Sequence, residues 1–335
     1  MHKVLFIGTF LSAQRGSKGI AESLADRLTS PELTLKLVSR QENKFRRLID
    51  IVWAILFFQG KKIHIDVFSG PAFTIADIAS KLAAWRQKYI IFTLHGGKLC
   101  EFAEQHKARI QQVFQRANYI QTPSLFLQDY FQQQGYAIHY LPNSVDTKAF
   151  PLQRDQVKPF SLLWVRAFIP IYNPQIAVKV LAEVRKKFPQ CTLTMVGPDK
   201  GEMNSTKELA QQLKVEEAIT FTGPVPNHEL KKYYQSHQVF LNTTSYESFG
   251  VAVVEAALCG IPIVSNSVGE IPFLWTHLEN ALLVQDQDLA QYVKNVVQLL
   301  EQPEFAEKIA MQARSKALEF DWTRIQPAWE KLLMN

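Results

Sequence analysis

Residues 239–273 read VFLNTTSYESFGVAVVEAALCGIPIVSNSVGEIPF. The apolar run Val239-Phe240-Leu241 reads as a strand and breaks into a polar loop over 242–248. Phe249-Gly250 leads into the apolar segment 251–258, about two helical turns, which stops at Cys259-Gly260. A second strand-like run over 261–264 carries Pro262 near its start and closes on another polar loop, 265–269. Strand, loop, helix, strand, loop is a βαβ unit with two loops at strand ends. In open parallel sheets, ligands lie in the crevice outside those ends.

Two carboxylates frame the helix of this unit. Glu247 precedes it and Glu255 lies eight positions on, about two turns along. The spacing lets one face a crevice mouth while the other meets a deeper wall. Between them the backbone N–H groups of Phe249, Gly250 and Val251 stand at a helix N-terminus. Such groups have no partner inside the helix, and the helix dipole favours phosphate there. Gly250 allows close approach to the backbone. One reading is a phosphate pocket flanked by carboxylates, suited to the hydroxyls of a sugar nucleotide. The other is an ordinary buried helix whose two glutamates are solvated or paired.

The same residues resemble the signature of the group 1 (family four) retaining glycosyltransferases, close to E-G-F-G-x-x-x-x-E-A-M-A-C-G-x-P-V-V-A-S-x-x-G-G-x-P. Here Glu247-x7-Glu255 is followed by AALCGIPIVSNSVGEIP. Ser248 and Glu270 each replace a common glycine. The resemblance implies the GT-B architecture, two Rossmann-like doubly wound α/β domains facing across a cleft. It also implies transfer of a hexose-type sugar from a nucleotide-sugar donor, with the anomeric configuration retained and no metal required.

Bulk properties are compatible with that expectation. A chain of 335 residues exceeds one ordinary core, and 47% hydrophobic with 20% charged residues describes a globular protein. Cys100, Cys191 and Cys259 form neither a metal spacing nor a disulfide framework, which fits a reducing, cytoplasmic compartment. A net charge of +6 favours an acidic partner such as phospholipid or a nucleotide without demanding nucleic acid. The apolar start at 4–11 is short and broken by Gly8, so it reads as a first strand rather than a secretory signal.

Strand and helix patterns alternate from the N-terminus. The strand at 4–7 runs into a glycine-bearing loop and a helix over 20–28, without the G-x-G-x-x-G spacing of dinucleotide sites. The resemblance assigns Gly16, Lys18 and Gly19 of this loop to the donor phosphates. Residues 40–62 hold six basic and two acidic residues around the core IDIVWAILFF. This segment is open to two readings: a core helix with a solvated basic start, or a helix lying in a membrane surface. A strand over 89–94 ends at His95-Gly96-Gly97, and the resemblance places His95 near the sugar hydroxyls and the acceptor. Residues 139–146, HYLPNSVD, resemble the family's I-P-N-G-x-D segment, with Ser144 for glycine.

The pattern restarts after a polar stretch over 150–159. A strand over 161–165 ends at Arg166, whose fixed charge and forked donors suit a diphosphate. The resembled family places a lysine five residues further, where this chain has Ile171. Further strands over 192–196 and from 219 end in candidate ligand loops, the latter containing Gly223, and Asn227 is the expected cap of a helix over 228–236. The expected division is an acceptor-side domain over 1–152, a donor-binding domain over 160–318 and a closing helix over 319–335.

The expected assignments are therefore specific. His95, Arg166 and Glu247 form the catalytic set. Gly16, Lys18, Gly19, Arg166, Gly223, Phe249, Gly250, Val251 and Glu255 bind the donor, a UDP- or GDP-sugar, with no metal or other cofactor. A glycan, lipid, lipid-linked glycan or small molecule, as in cell-envelope polysaccharide synthesis, is the acceptor, with peripheral membrane contact through 40–62 and no nucleic acid. Two other functions compete. A sugar-nucleotide-binding protein without turnover suits the missing lysine, and a membrane-surface scaffold would depend on 40–62 alone.

Overall fold

The computed structural model describes residues 2–10, 20–96 and 98–335. Gly16, Lys18 and Gly19 lie outside the described residues. The chain divides into two compact units, Met1–Ser144 with Thr323–Asn335, and Val145–Trp322. Residues 145–152 cluster with the second unit, whereas the sequence reading put them in the first.

The first unit holds six parallel strands: β1 (His2–Ile7), β2 (Leu33–Val38), β3 (Lys62–Val67), β4 (Tyr89–Leu94), β5 (Tyr119–Thr122) and β6 (His139–Tyr140). Their spatial order is β2-β1-β3-β4-β5-β6. Its helices are α1 (Ile20–Leu28), α2 (Lys44–Phe57), α3 (Pro71–Trp85), α4 (Lys98–Gln105), α5 (Lys107–Phe114) and α6 (Leu125–Gln133). Central strands covered on both faces need near-continuous apolar sequence. The β4 run YIIFTL meets that need, with every residue after Tyr89 buried. The Asn43 side chain caps α2 by accepting from the N–H groups of Phe45 and Arg46 at 2.9 and 3.1 Å. Helices α4 and α5 follow one another directly, separated only by His106.

The second unit repeats the plan with β7 (Ser161–Val165), β8 (Thr192–Val196), β9 (Ile219–Gly223), β10 (Val239–Asn242), β11 (Ile263–Asn266) and β12 (Leu282–Val284). Its order is β12-β11-β10-β7-β8-β9, all parallel. From β7 the chain winds outward through β8 and β9, then returns to place β10 on the other side of β7. The crevice where the winding reverses is the favoured ligand position of such sheets. The helices are α7 (Pro174–Arg185), α8 (Met203–Gln212), α9 (Asn227–Ser236), α10 (Val251–Leu258), α11 (Ile271–Leu274), α12 (Leu289–Glu301) and α13 (Pro303–Ala317). Asn227 is the first residue of α9 and makes no side-chain cap, because Pro226 occupies the capping position. The second strand of the opening motif starts at Ile263, two residues later than expected, since Pro262 has no N–H to give a ladder.

A last helix, α14 (Trp322–Met334), belongs to the first unit from Thr323 onward. Trp329 is buried and meets the His64 ring edge-on at 5.7 Å, and the Leu332 carbonyl accepts from Lys62 at 2.7 Å. These contacts make the C-terminal helix part of that unit's core. Trp329→Ala is therefore expected to lower folding stability by about 3–5 kcal/mol, read as a fall in the urea midpoint. An unchanged midpoint would show that the helix is not part of the cooperative core.

Candidate active site

Arg166 follows β7 directly, and its N–H donates to Val196 at 3.0 Å. The loop after β10, the neighbouring strand across the reversal, brings in Glu247. Arg166 Nη2 donates to Glu247 Oε2 at 2.5 Å, and each side chain is 12% exposed. The guanidinium also lies over the Tyr172 ring, 5.3 Å from its centroid. Arg166 Nε is buried with no acceptor among the described residues. A buried donor without a partner is uncommon in folded proteins.

The loop carrying Glu247 is held at several points. Asn242 Nδ2 donates to Ser265 Oγ at 2.9 Å, and its carbonyl accepts from Tyr292 at 3.0 Å. The Ile171 carbonyl accepts from the Ser245 N–H at 2.8 Å and from the Thr244 hydroxyl at 3.2 Å. Thr243 accepts from the Trp164 indole at 2.9 Å and donates to the Tyr172 carbonyl at 2.8 Å. The backbone of the 170–172 turn is thus fixed while its Tyr172 ring sits against Arg166. Ile171, at the position of the absent lysine, contributes a backbone acceptor.

Gly269 is needed for a close approach. Its φ is +55°, and a Cβ there would stand 2.1 Å from the Glu247 carbonyl oxygen. Next to it, Glu270 is buried and its N–H donates to that same carbonyl at 2.9 Å. Ser248, the other departure from the signature, is exposed, and its N–H turns back to Glu247 Oε1 at 3.2 Å.

Helix α10 begins immediately after Gly250, which has φ +84°. The N–H groups of Gly250 and Val251 have no acceptor among the described residues, as the first turn of a helix requires. Phe249 is buried with its ring edge-on to Phe320 at 5.2 Å, so only its backbone is available to a ligand. Glu255 is buried on α10 and accepts from the Tyr234 hydroxyl at 3.0 Å. Burial raises its pKa to about 7, against the opposing effects of the Tyr234 hydrogen bond and the Arg166 charge. Burial likewise pushes the Tyr234 hydroxyl well above its usual range. Gly223 ends β9, and its carbonyl accepts from the Gly197 N–H at 3.0 Å.

The structure therefore brings Arg166, Glu247, Gly250, Val251 and Glu255 into one unit around the carboxyl ends of β7 and β10. Tyr172, Asn242 and Tyr234 join them without having been expected. Their signal in the sequence was position alone: beside Ile171, at a strand end, and inside a helix one element upstream.

His95 belongs to the first unit. It follows β4, and its Nε2 lies 3.0 Å from Asp66 Oδ1 on β3, with the ring stacked on Phe68 at 4.9 Å. Burial alone would raise the Asp66 carboxyl, but the His95 charge and hydrogen bond, with His64 behind, hold it below its usual value. The ring is thereby oriented by a carboxylate, an arrangement that fixes which nitrogen faces a ligand. Gly8 makes room for this carboxylate, since a Cβ there would meet Asp66 Oδ2 at 2.5 Å.

A family model described as glycosyl transferases group 1 matches residues 147–316, half of the chain. The chain belongs to the group 1 glycosyl transferases. Among curated relatives, the D-inositol 3-phosphate glycosyltransferase of Frankia alni is 29% identical over 170 residues, 48% of this chain and 42% of that protein. The enzyme of the same name from Acidothermus cellulolyticus is 30% identical over 169 residues, 48% and 38%. The matches thus cover less than half the length of these relatives. Two solved structures share the GT-B fold over nearly the whole chain. Sucrose-phosphate synthase of Thermosynechococcus elongatus has a TM-score of 0.78 at 17% identity, covering 99% of this chain and 98% of its own. Anabaena Alr3699/HepE, solved with UDP and glucose, has a TM-score of 0.77 at 19% identity and covers both chains completely.

Two outcomes follow from this group 1 site. Glu255 has a folded pKa of about 7 against 4.5 for the free side chain, so its contribution to stability is full below pH 4.5 and is lost as pH rises through 7. Glu255→Gln should remove that loss, gaining on the parent protein by roughly 3 kcal/mol between those limits in denaturation curves. A constant difference across pH would contradict the buried-carboxylate account. Gly269→Ala should lower stability by about 1–3 kcal/mol and displace Glu247 from Arg166, visible in a crystal structure of the variant.

Proposed function

We propose that this group 1 glycosyl transferase moves a hexose-type sugar from a UDP- or GDP-sugar to an acceptor hydroxyl, retaining the anomeric configuration. The observation that carries the reading is Arg166, with a buried unpaired Nε, standing at the β7–β10 reversal within a segment of the family. As the bond between the anomeric carbon and the diphosphate oxygen breaks, negative charge collects on the diphosphate. The Arg166 guanidinium and the N–H groups of Gly250 and Val251 supply positive potential for it, so the proposed reaction has no metal step. The new bond forms to the acceptor oxygen, whose proton leaves with the diphosphate. Glu255 accepts from the ribose hydroxyls of the donor and Glu247 from the hydroxyls of the transferred sugar. His95, oriented by Asp66, is assigned to a sugar or acceptor hydroxyl. The UDP, glucose and UDP-glucose held by Anabaena HepE favour a uridine donor. The acceptor class is a glycan, a lipid, a lipid-linked glycan or a small molecule.

The deciding experiment measures binding and hydrolysis of UDP-, GDP- and ADP-sugars by the parent chain and by two variants. Glu255→Ala should weaken binding of the preferred donor about tenfold or more. Arg166→Ala should lower donor hydrolysis by about 10²–10³-fold. No binding of any donor would overturn the proposal. Binding with neither hydrolysis nor transfer would instead identify a sugar-nucleotide-binding protein, the reading that Ile171 in place of lysine favours.

A further inference from the structure

Helix α2 is apolar on two sides. Its inner side sends Ile51, Ala54 and Ile55 into the core of the first unit. Its outer side carries Phe45, Ile49, Trp53 and Phe57, respectively 71%, 43%, 58% and 66% exposed. These four recur every fourth residue and make one stripe along the whole helix, with Trp53 and Phe57 stacked at 5.0 Å. Trp85, 71% exposed, ends the adjacent α3. Both helices are crossovers of one parallel sheet and run in the same sense, so Trp85 ends its helix at the same edge of the sheet as Phe57. A surface helix normally turns charged or polar groups outward, and an aromatic stripe of this length marks an interaction site.

We infer that this stripe docks the protein on an anionic lipid bilayer, with α2 lying in the plane of the surface. Charge selects lipid over other apolar partners. Lys44 and Arg46 flank the start of the stripe, and Lys61 and Arg86 its end; none of the four has an ion-pair partner among the described residues. The segment 40–62 carries six basic residues against two acidic ones, Glu42 and Asp50. The stripe is the convex side of a helix rather than a groove, which suits a flat partner. Aromatic rings between cations match the boundary between acyl chains and anionic headgroups. The inner side is packed along its length, so the helix can present only its outer flank. No described helix is long and apolar enough to cross a membrane, so α2 lies on the bilayer. The inference does not depend on the donor chemistry.

The test is co-sedimentation of the full chain with phosphatidylcholine vesicles, with and without phosphatidylglycerol, at rising NaCl. The protein should sediment with the anionic vesicles and be released by salt. Phe45→Ser/Trp53→Ser/Phe57→Ser should lower the partition coefficient by about tenfold or more. Lys44→Glu/Arg46→Glu should lower it about fivefold or more per residue on anionic vesicles. All five positions are exposed, so circular dichroism and the thermal midpoint should not change. If the triple variant unfolds, the charge variant and quenching of tryptophan emission by brominated lipid in the parent protein still decide. Equal binding to neutral and anionic vesicles, or no binding by the parent, overturns the inference. A parent dimer that the triple variant dissociates, without vesicle binding, assigns the stripe to a second copy and also overturns it.

Discussion

The arrangement of the second unit depends on β10 lying directly beside β7. The chain leaves β7, builds two strands on one side, and comes back to lay β10 on the other. Only that reversal sets the residue after β7 next to the loop after β10, so that Arg166 and Glu247 pair at 2.5 Å. Both groups are nearly buried, and a buried charge is tolerated only with a partner. The ion pair therefore holds the loop in place before any ligand arrives. Arg166 Nε stays buried beside the pair with no acceptor among the described residues.

Around this pair the protein uses backbone more than side chains. The Ile171 and Glu247 carbonyls are held by hydrogen bonds and by a glycine that alone can pass Glu247 at van der Waals range, while the first N–H groups of α10 stay without a partner among the described residues. This explains how a chain that has isoleucine in place of the family's lysine can keep the site in shape. The lost cation is a side-chain matter, and the turn that carried it is secured by its backbone. Tyr172, one residue on, braces the guanidinium by its ring face, an interaction worth more as water is excluded. Glu255 shows the cost of such exclusion: buried beneath the site, it holds its proton up to about pH 7.

The first unit follows the same logic with different chemistry. Its order also reverses, between β1 and β3, and the polar groups again gather at strand ends, here Asp66 and His95. Its crossover helix α2 is apolar on two flanks. It turns aromatic rings to the outside as well as aliphatic side chains to the core.

By itself the sequence determined the alternation of elements, the two parallel sheets and the GT-B class. Hydrophobic periodicity and turn residues are local properties, and the 239–273 motif is dense enough to identify its family. It also marked Arg166, Glu247, Gly250 and Glu255, because strand ends and helix starts can be read along the chain. Tertiary structure alone decided which of these meet. Tyr234 reaches Glu255 across 21 residues and Arg166 reaches Glu247 across 81, and no periodicity spans such distances. It alone resolved α2 as well. The apolar residues of 45–57 fit either a core face or a surface face, and both faces exist. Which rings are wet depends on how the helix is rotated against the sheet, a matter settled by packing rather than by composition.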